Sequence, residues 1–254
     1  MNKGKNMPEK AAEEYTLLSN GYLADDTGTA RPPWACANAL LRDYYDTEWG
    51  QRITGEQAHF ERLCLESFQA GLSWELVLRR RNALRKAFAS FIPDAVAAYK
   101  ETDVAQILAT EGMIRNERKI RAVIKNARAC IALRDDPDYP GGLEELITAF
   151  APIAATEDHT EPESYAHLSE IPTQSTHSHA LAKELKKKGF SFVGPTSMHA
   201  LFEAIGLTNY IIAPGHPVQQ SGDTAHENGV GTTTKTGTTT ETDTAIKTGT
   251  ATDA

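Results

Sequence analysis

The chain has 254 residues, a formal net charge of −8, 40% hydrophobic and 24% charged residues. That balance fits a soluble globular protein with one good-sized domain. It excludes a membrane span, because no run of 18 apolar residues occurs. The start, MNKGKNMPEKAAEEY, has no apolar stretch of the kind a secretory signal needs. Cys36, Cys64 and Cys130 are odd in number and far apart. They form no disulfide framework and no CxxC metal knuckle, so a reducing cytoplasm is the expected compartment.

Residues 1–30 are polar and weakly patterned, and read as a flexible extension. Residues 31–218 read as the folded unit. Residues 219–254 are mostly Thr, Gly, Asp, Ala and Lys, too poor in apolar surface to offset chain entropy, and disorder is expected there. Within the folded unit, HFERLCLESFQAGL places Phe60, Leu63, Cys64, Leu65, Phe68 and Leu72 near a 3.6-residue period. WELVLRRRNALRKAFASF carries an apolar stripe with Arg and Lys outside it. PDAVAAY and DVAQILA are short helices. ERKIRAVIKNARACIALR is a long amphipathic one, and SHALAKELKKKG and PTSMHALFEAIG close the series. Strand-like alternation is nearly absent, so the fold class is all-α, a helical bundle.

Net charge is a poor guide when charges are segregated. Bases cluster at Arg79-Arg80-Arg81 with Arg85 and Lys86, at Arg115–Arg128, and at Lys183–Lys188. Each cluster reads either as a face for phosphates or as a solvated helix surface.

The segment LKKKGFSFVGPTSMHALFEAIG has its own grammar. Gly189 ends one helix in a conformation that tolerates positive φ. Phe190, Phe192 and Val193 stand ready to anchor two helices. Gly194 allows close backbone approach, and Pro195 suits a first helical position. The open N–H groups of the second helix form a ready anion site. The pattern resembles a helix-hairpin-helix, which grips one DNA strand without reading sequence. An ordinary helical hairpin fits the same residues. Where backbone-cleaving relatives of that motif carry Lys, the text here is VGPTS, with Thr196. No Asp lies between Thr196 and Gly222, where most such enzymes carry one. Neither a Schiff-base nucleophile nor the usual carboxylate stands at this place.

Near the front of the folded unit, RDYYDTEWG and LCLESFQAGLSW bring Tyr44, Tyr45, Trp49, Glu66 and Trp74 within about 30 residues. Glu66, between Leu65 and Phe68, reads either as an exposed polar position or as a carboxylate held in an aromatic pocket.

With these blocks the sequence resembles the 3-methyladenine DNA glycosylase I family. The matching stretches are YYDTEWG, FERLCLESFQAGLSWELVLRRR, GMIRNERKIRAVIKNARA, LSEIPTQSTHSHALAKELKKKGFSFVGPT and FEAIGLTN. The resemblance implies a bundle of the helix-hairpin-helix glycosylase type. It implies a base-reading and catalytic role for Glu66, base binding by Tyr44 (with a share in catalysis), stacking by Trp74, and a second pocket tryptophan in Trp49. Gln69 and Ser73 would support that pocket's shape. Gly189, Gly194, Thr196 and Lys188 would contact DNA. The implied reaction hydrolyses the N-glycosidic bond of 3-methyladenine in double-stranded alkylated DNA, without lyase action, by a monomer that meets no membrane.

Two departures bear on that expectation. Many family members hold their chain ends with a zinc bound by two Cys and two His. Here Cys36 is the one clear ligand, Tyr45 stands where a His is usual, and His216 is out of register. Two ligands do not close a four-coordinate site, so no zinc and no other cofactor are expected. Leu41 stands where a further pocket tyrosine is common. The competing readings are a non-catalytic DNA-binding module that uses the hairpin alone, and a helical interaction protein with no DNA role.

Overall fold

A computed structural model describes residues 14–152 and 162–218. Among these residues the protein is mostly helical. The helices are α1 (Ala39–Thr47), α2 (Glu56–Gln69), α3 (Trp74–Ala87), α4 (Pro93–Ala97), α5 (Glu101–Ala109), α6 (Glu117–Leu133), α7 (Gly142–Ala149), α8 (Thr176–Lys187) and α9 (Pro195–Ala204). No helix among the described residues is long and apolar enough to cross a membrane.

Helix α2 runs through the centre and packs on α3, α6, α7 and α9. The expected stripe is there, with Phe60, Leu63, Cys64, Leu65 and Phe68 wholly buried. Every residue from Arg62 to Phe68 is buried, and His59, Arg62, Glu66 and Ser67 are the polar members of the buried set. A helical stretch enclosed over about two turns must carry its polar side chains inside. Each of those groups then needs an internal partner or a ligand.

Local sequence sets the ends of the helices around it. Asn38 opens α1 by accepting from the Leu41 amide at 3.1 Å. Ser73 opens α3 by accepting from the Leu76 amide at 3.2 Å, which makes Trp74 the first residue of that helix. Asn116 does the same for α6 through the Lys119 amide. Each cap satisfies one amide left without a partner at a helix start.

Two small sheets depart from a purely helical reading. Strands β1 (Thr16–Leu17), β2 (Leu23–Ala24) and β3 (Ala30–Arg31) form an antiparallel meander. Strand β4 (Glu163–Tyr165) pairs parallel with β5 (Tyr210–Ile212). Strands of two or three residues carry no readable alternation. The expected boundary at residue 31 is therefore corrected: residues 16–30 belong to the folded unit. Residues 1–13 of the expected extension and the whole expected tail, 219–254, lie outside the described residues.

Candidate functional site

Helix α1 presents Tyr44 and Leu41 to the core, one turn apart and both buried. Tyr44 meets Trp74, at the head of α3, with ring centroids 5.3 Å apart. Past the end of α1, Trp49 stacks on Tyr45 at 5.2 Å. The structure adds Trp34, which sequence reasoning passed over. Its ring lies 6.4 Å from Tyr44, and edge-on to Tyr45 at 5.5 Å and Trp49 at 6.0 Å. All three tryptophans of the chain therefore belong to one aromatic cluster. The signal that could have found Trp34 is the WACANALLRDYYDTEW spacing, which brackets α1 with indoles.

Glu66 projects from the middle of α2 and is 1% exposed. Neither of its carboxylate oxygens hydrogen-bonds a described residue, nor does the indole N–H of Trp49 or Trp74. Burial raises the Glu66 carboxyl to about 8, partly opposed by the Arg62 guanidinium and reinforced by the charge of Glu203. Native proteins rarely leave such groups unmatched. A buried acid whose charge acts on Tyr44, with two buried indole N–H groups in the same aromatic cluster left without a described partner, is a set of groups that a flat, polar, electron-poor ring could satisfy.

Arg62 is a second residue that sequence reasoning missed. It donates to the Tyr44 phenol at 2.7 Å and to Glu48 at 3.1 Å. Arg81 completes the chain by donating to Glu48 at 2.7 Å and to Glu61 at 2.8 Å. Because Arg62 donates, the Tyr44 oxygen keeps its own proton to give elsewhere. Burial raises the Tyr44 pKa and outweighs the lowering effect of the Arg62 charge, so that proton stays in place. Lys119, also unforeseen, donates to the Phe68 and Ala70 carbonyls, both at 2.6 Å. It closes the C-terminal end of α2 and so fixes the turn that delivers Trp74.

The hairpin between α8 and α9 is formed as the sequence implied. Gly189 has φ of +97°. Phe190 and Val193 are buried in the core, and Pro195 opens α9. Gly194 is not needed for its backbone angle, with φ −81°. A methyl group there would meet nothing within 4 Å, so the amide end of α9 is left uncovered. Phe192 takes a positive φ of 57°, unusual for a bulky residue. Neighbours hold it there: Asn126 bonds both backbone groups of Ser191, at 3.0 and 2.8 Å, and the Ser67 hydroxyl reaches the Phe192 carbonyl at 3.1 Å. Strain retained in this way is typical of a functional turn. Thr196 is exposed, and its hydroxyl accepts from Gln174 at 2.7 Å.

Lys188 requires correction. Its ammonium bonds Asp136 at 2.6 Å and Asp138 at 3.3 Å, and lies over the Tyr139 ring at 5.0 Å. It braces α8, and its charge is engaged by Asp136 and Asp138 within the protein. Lys183 and Lys186, exposed and making no salt bridge with a described residue, flank a shallow groove with His179 and Pro195 beside the uncovered end of α9. Elsewhere the basic clusters are only partly paired, and Arg80, Lys86, Arg115, Arg118 and Lys125 make no salt bridge with a described residue. Arg79 pairs with Glu75, Arg85 with Glu61, and Arg121 with Glu101 and Glu117.

The residues at the chain ends do not suit a zinc ion. Burial pushes the Cys36 thiol up to about 11, away from the thiolate that zinc binds. The phenol of Tyr45 is hydrogen-bonded to Tyr22. His216 is exposed, with its backbone paired to Ser19. Among the described residues no three His, Cys, Asp or Glu side chains converge on one point.

Comparison with known proteins agrees with this geometry. A family model described as methyladenine glycosylase matches residues 34–213. The DNA-3-methyladenine glycosylase 1 of Escherichia coli K12 is 39% identical over 177 residues, covering 69% of this chain and 90% of that protein. The DNA-3-methyladenine glycosylase of Haemophilus influenzae is 35% identical over 184 residues, covering 71% and 94%. A solved structure of 3-methyladenine DNA glycosylase I from Staphylococcus aureus, described as the structural basis of 3-methyladenine recognition, is 27% identical. It superposes with a TM-score of 0.61 and covers 69% of this chain and 90% of that one. The matched region holds α1 to α9, the aromatic cluster with Glu66, and the hairpin, so this chain belongs to the methyladenine glycosylase family.

Proposed function

We propose that this protein excises 3-methyladenine from alkylated double-stranded DNA by hydrolysing its N-glycosidic bond. The carrying observation is the buried Glu66, whose carboxylate hydrogen-bonds no described residue and whose charge acts on Tyr44 of the aromatic cluster. A base inside a duplex cannot reach such a pocket, so the nucleotide must swing out of the stack. The hairpin supports the DNA strand through the amides of Thr196 and Ser197 at the head of α9, with Lys183 and Lys186 beside them. Three buried free cysteines fit a reducing compartment such as the cytoplasm.

The chemistry asks little of the protein. 3-Methyladenine is cationic while attached to deoxyribose. When the C1′–N bond breaks, its electron pair returns to the ring and the base leaves neutral. Water adds at C1′ and loses a proton to solvent, leaving an abasic site. No acid is needed for the leaving group. Indole faces favour a cationic ring by about 0.5–2 kcal/mol each. Glu66 is neutral in the empty pocket near pH 7, ionises as the cation enters, and so distinguishes a charged lesion from neutral adenine. Thr196 in the place of a lysine supports simple hydrolysis without strand cleavage.

Incubation of the full chain with methylated duplex DNA tests this. Free 3-methyladenine is expected in the supernatant, with strands that break only on later alkaline treatment. Release of no methylated base would refute the reading. Direct strand breakage would refute its hydrolytic form.

A further inference from the structure

The family match begins at residue 34, yet the meander of residues 16–31 is joined to the rest of the fold at several points. Asn20, 7% exposed, is the hinge pin. Its amide donates to the Ala213 carbonyl at 2.9 Å and accepts from the Tyr22 amide at 3.1 Å. Its own carbonyl accepts from the Leu168 amide at 2.9 Å. One side chain and its backbone thus tie three segments that are remote in sequence. A methyl group on Gly215 would overlap the Asn20 amide, so the approach is close. Around it, Ser19 bonds both backbone groups of His216, and the Val218 amide donates to the Leu17 carbonyl at 3.0 Å. At the other edge, Arg31 grips Asp46 of α1 through two donors, at 2.7 and 2.9 Å, and Asp25 through a third, at 2.7 Å.

These contacts lead into the base pocket. Asn20 fixes the backbone of Tyr22, whose phenol is hydrogen-bonded to that of Tyr45. Tyr45 stacks on Trp49 at 5.2 Å. Asp46, held by Arg31, is the next residue of α1. Tyr22 and Trp49 also share one groove with Glu203 and Tyr210, and Tyr210 donates to Glu203 at 2.8 Å. The side chains that make these ties are amide, phenol and guanidinium with carboxylate. The imidazole of His167 beside Gly21 and the thiol of Cys36 near Arg31 are also at hand, but among the described residues no three His, Cys, Asp or Glu groups converge here.

We propose that the 16–31 meander is a metal-free clasp, and that Asn20 and Arg31 are positioning residues that hold the Trp49 wall of the base pocket through Tyr22, Tyr45 and Asp46. The proposal deepens the base-excision reading and rests on it for the identity of the ligand. The clasp itself is tested without that ligand, because every tryptophan of the chain lies in the cluster and intrinsic fluorescence reports on it alone.

The experiment compares full-length wild type with N20D, R31M and Y22F, each with and without a zinc chelator. N20D keeps the size of Asn20 but turns its donor into an acceptor facing the Ala213 carbonyl. Y22F keeps the ring and removes only the bond to Tyr45. In the wild type, chelation is expected to leave fluorescence and melting unchanged. N20D and R31M should retain helical circular dichroism while acrylamide quenching of tryptophan rises about twofold. Affinity for free 3-methyladenine should fall about tenfold, with Y22F showing the same trend more weakly. A chelator that alters wild-type fluorescence overturns the metal-free claim. Variants that melt earlier but keep wild-type quenching and base affinity overturn the positioning role. If N20D fails to fold, Y22F carries the same decision. If the wild type binds no 3-methyladenine while quenching still rises in the variants, the clasp stands and the base reading fails.

Discussion

Glu66 joins the electrostatics of the pocket to the stability of the fold. Its folded pKa, about 8, lies above the ordinary 4.5 because burial disfavours the charge. The native state therefore holds a proton that the unfolded chain has lost. That contribution is full below pH 4.5 and is lost as pH rises towards 8, at up to about 1.4 kcal/mol per pH unit. Denaturant melts of E66Q should lack this loss, so the variant gains on the wild type as pH rises through that window. Parallel pH profiles would contradict the burial of an ionisable group here. Binding of the cationic lesion runs the opposite way, because it needs the carboxylate. Affinity should climb with pH to about 8 and then level. Arg62 lowers the Glu66 pKa, so R62L should move that plateau to higher pH. A plateau left in place would show that Arg62 does not share the field of Glu66. Sequence alone left Glu66 open between surface and pocket. A lone helical Glu is usually exposed, and nothing local announces that the stretch Arg62 to Phe68 of α2 is buried throughout. Arg62 was hidden for the same reason.

At the scale of elements, the hairpin and the helix starts were legible because they are written in local chemistry. Gly189, Pro195, Ser73 and Asn116 act within a turn of their own positions. The meander was not legible, because its strands are two residues long and the contacts that anchor it, such as Asn20 to Ala213 and Ser19 to His216, join residues 193 and 197 positions apart. Lys188 was misread through helix phase. Lys183 and Lys186 are three residues apart and share a face with His179, while Lys188 turns towards Asp136. The contrast predicts distinct outcomes. The double variant K183A/K186A should reduce the slope of log affinity against log salt by about 2, as expected for two lost phosphate contacts. K188A should leave that slope unchanged and lower the melting temperature. The reverse pattern would restore Lys188 to the DNA face. G194A should fold normally, since space is open around it. It should weaken DNA binding about tenfold by covering the amides of α9, with affinity for the free base unchanged. Equal loss of both affinities would mean that the hairpin and the pocket are not separable.

Across the whole molecule, the proposed base site and the hairpin meet on the C-terminal part of α2. Glu66, whose charge acts on Tyr44, is followed at once by Ser67, which reaches the strained hairpin, and by Phe68, whose carbonyl Lys119 holds beside the turn before Trp74. In the proposed function, DNA grip and base reading would thus share one element. A net charge of −8 is compatible with this, because charge is unevenly spread: Lys183 and Lys186 make no salt bridge with a described residue and lie beside α9. The central claim is that a buried carboxylate in an aromatic pocket recognises a cationic base. Its most direct measurement is single-turnover release of 3-methyladenine from methylated duplex DNA by wild type and E66Q, with circular dichroism confirming equal folding. The account predicts measurable release by the wild type and a loss of at least about 100-fold in E66Q, equivalent to roughly 2.7 kcal/mol of transition-state stabilisation. Near-normal release by a folded E66Q would contradict it.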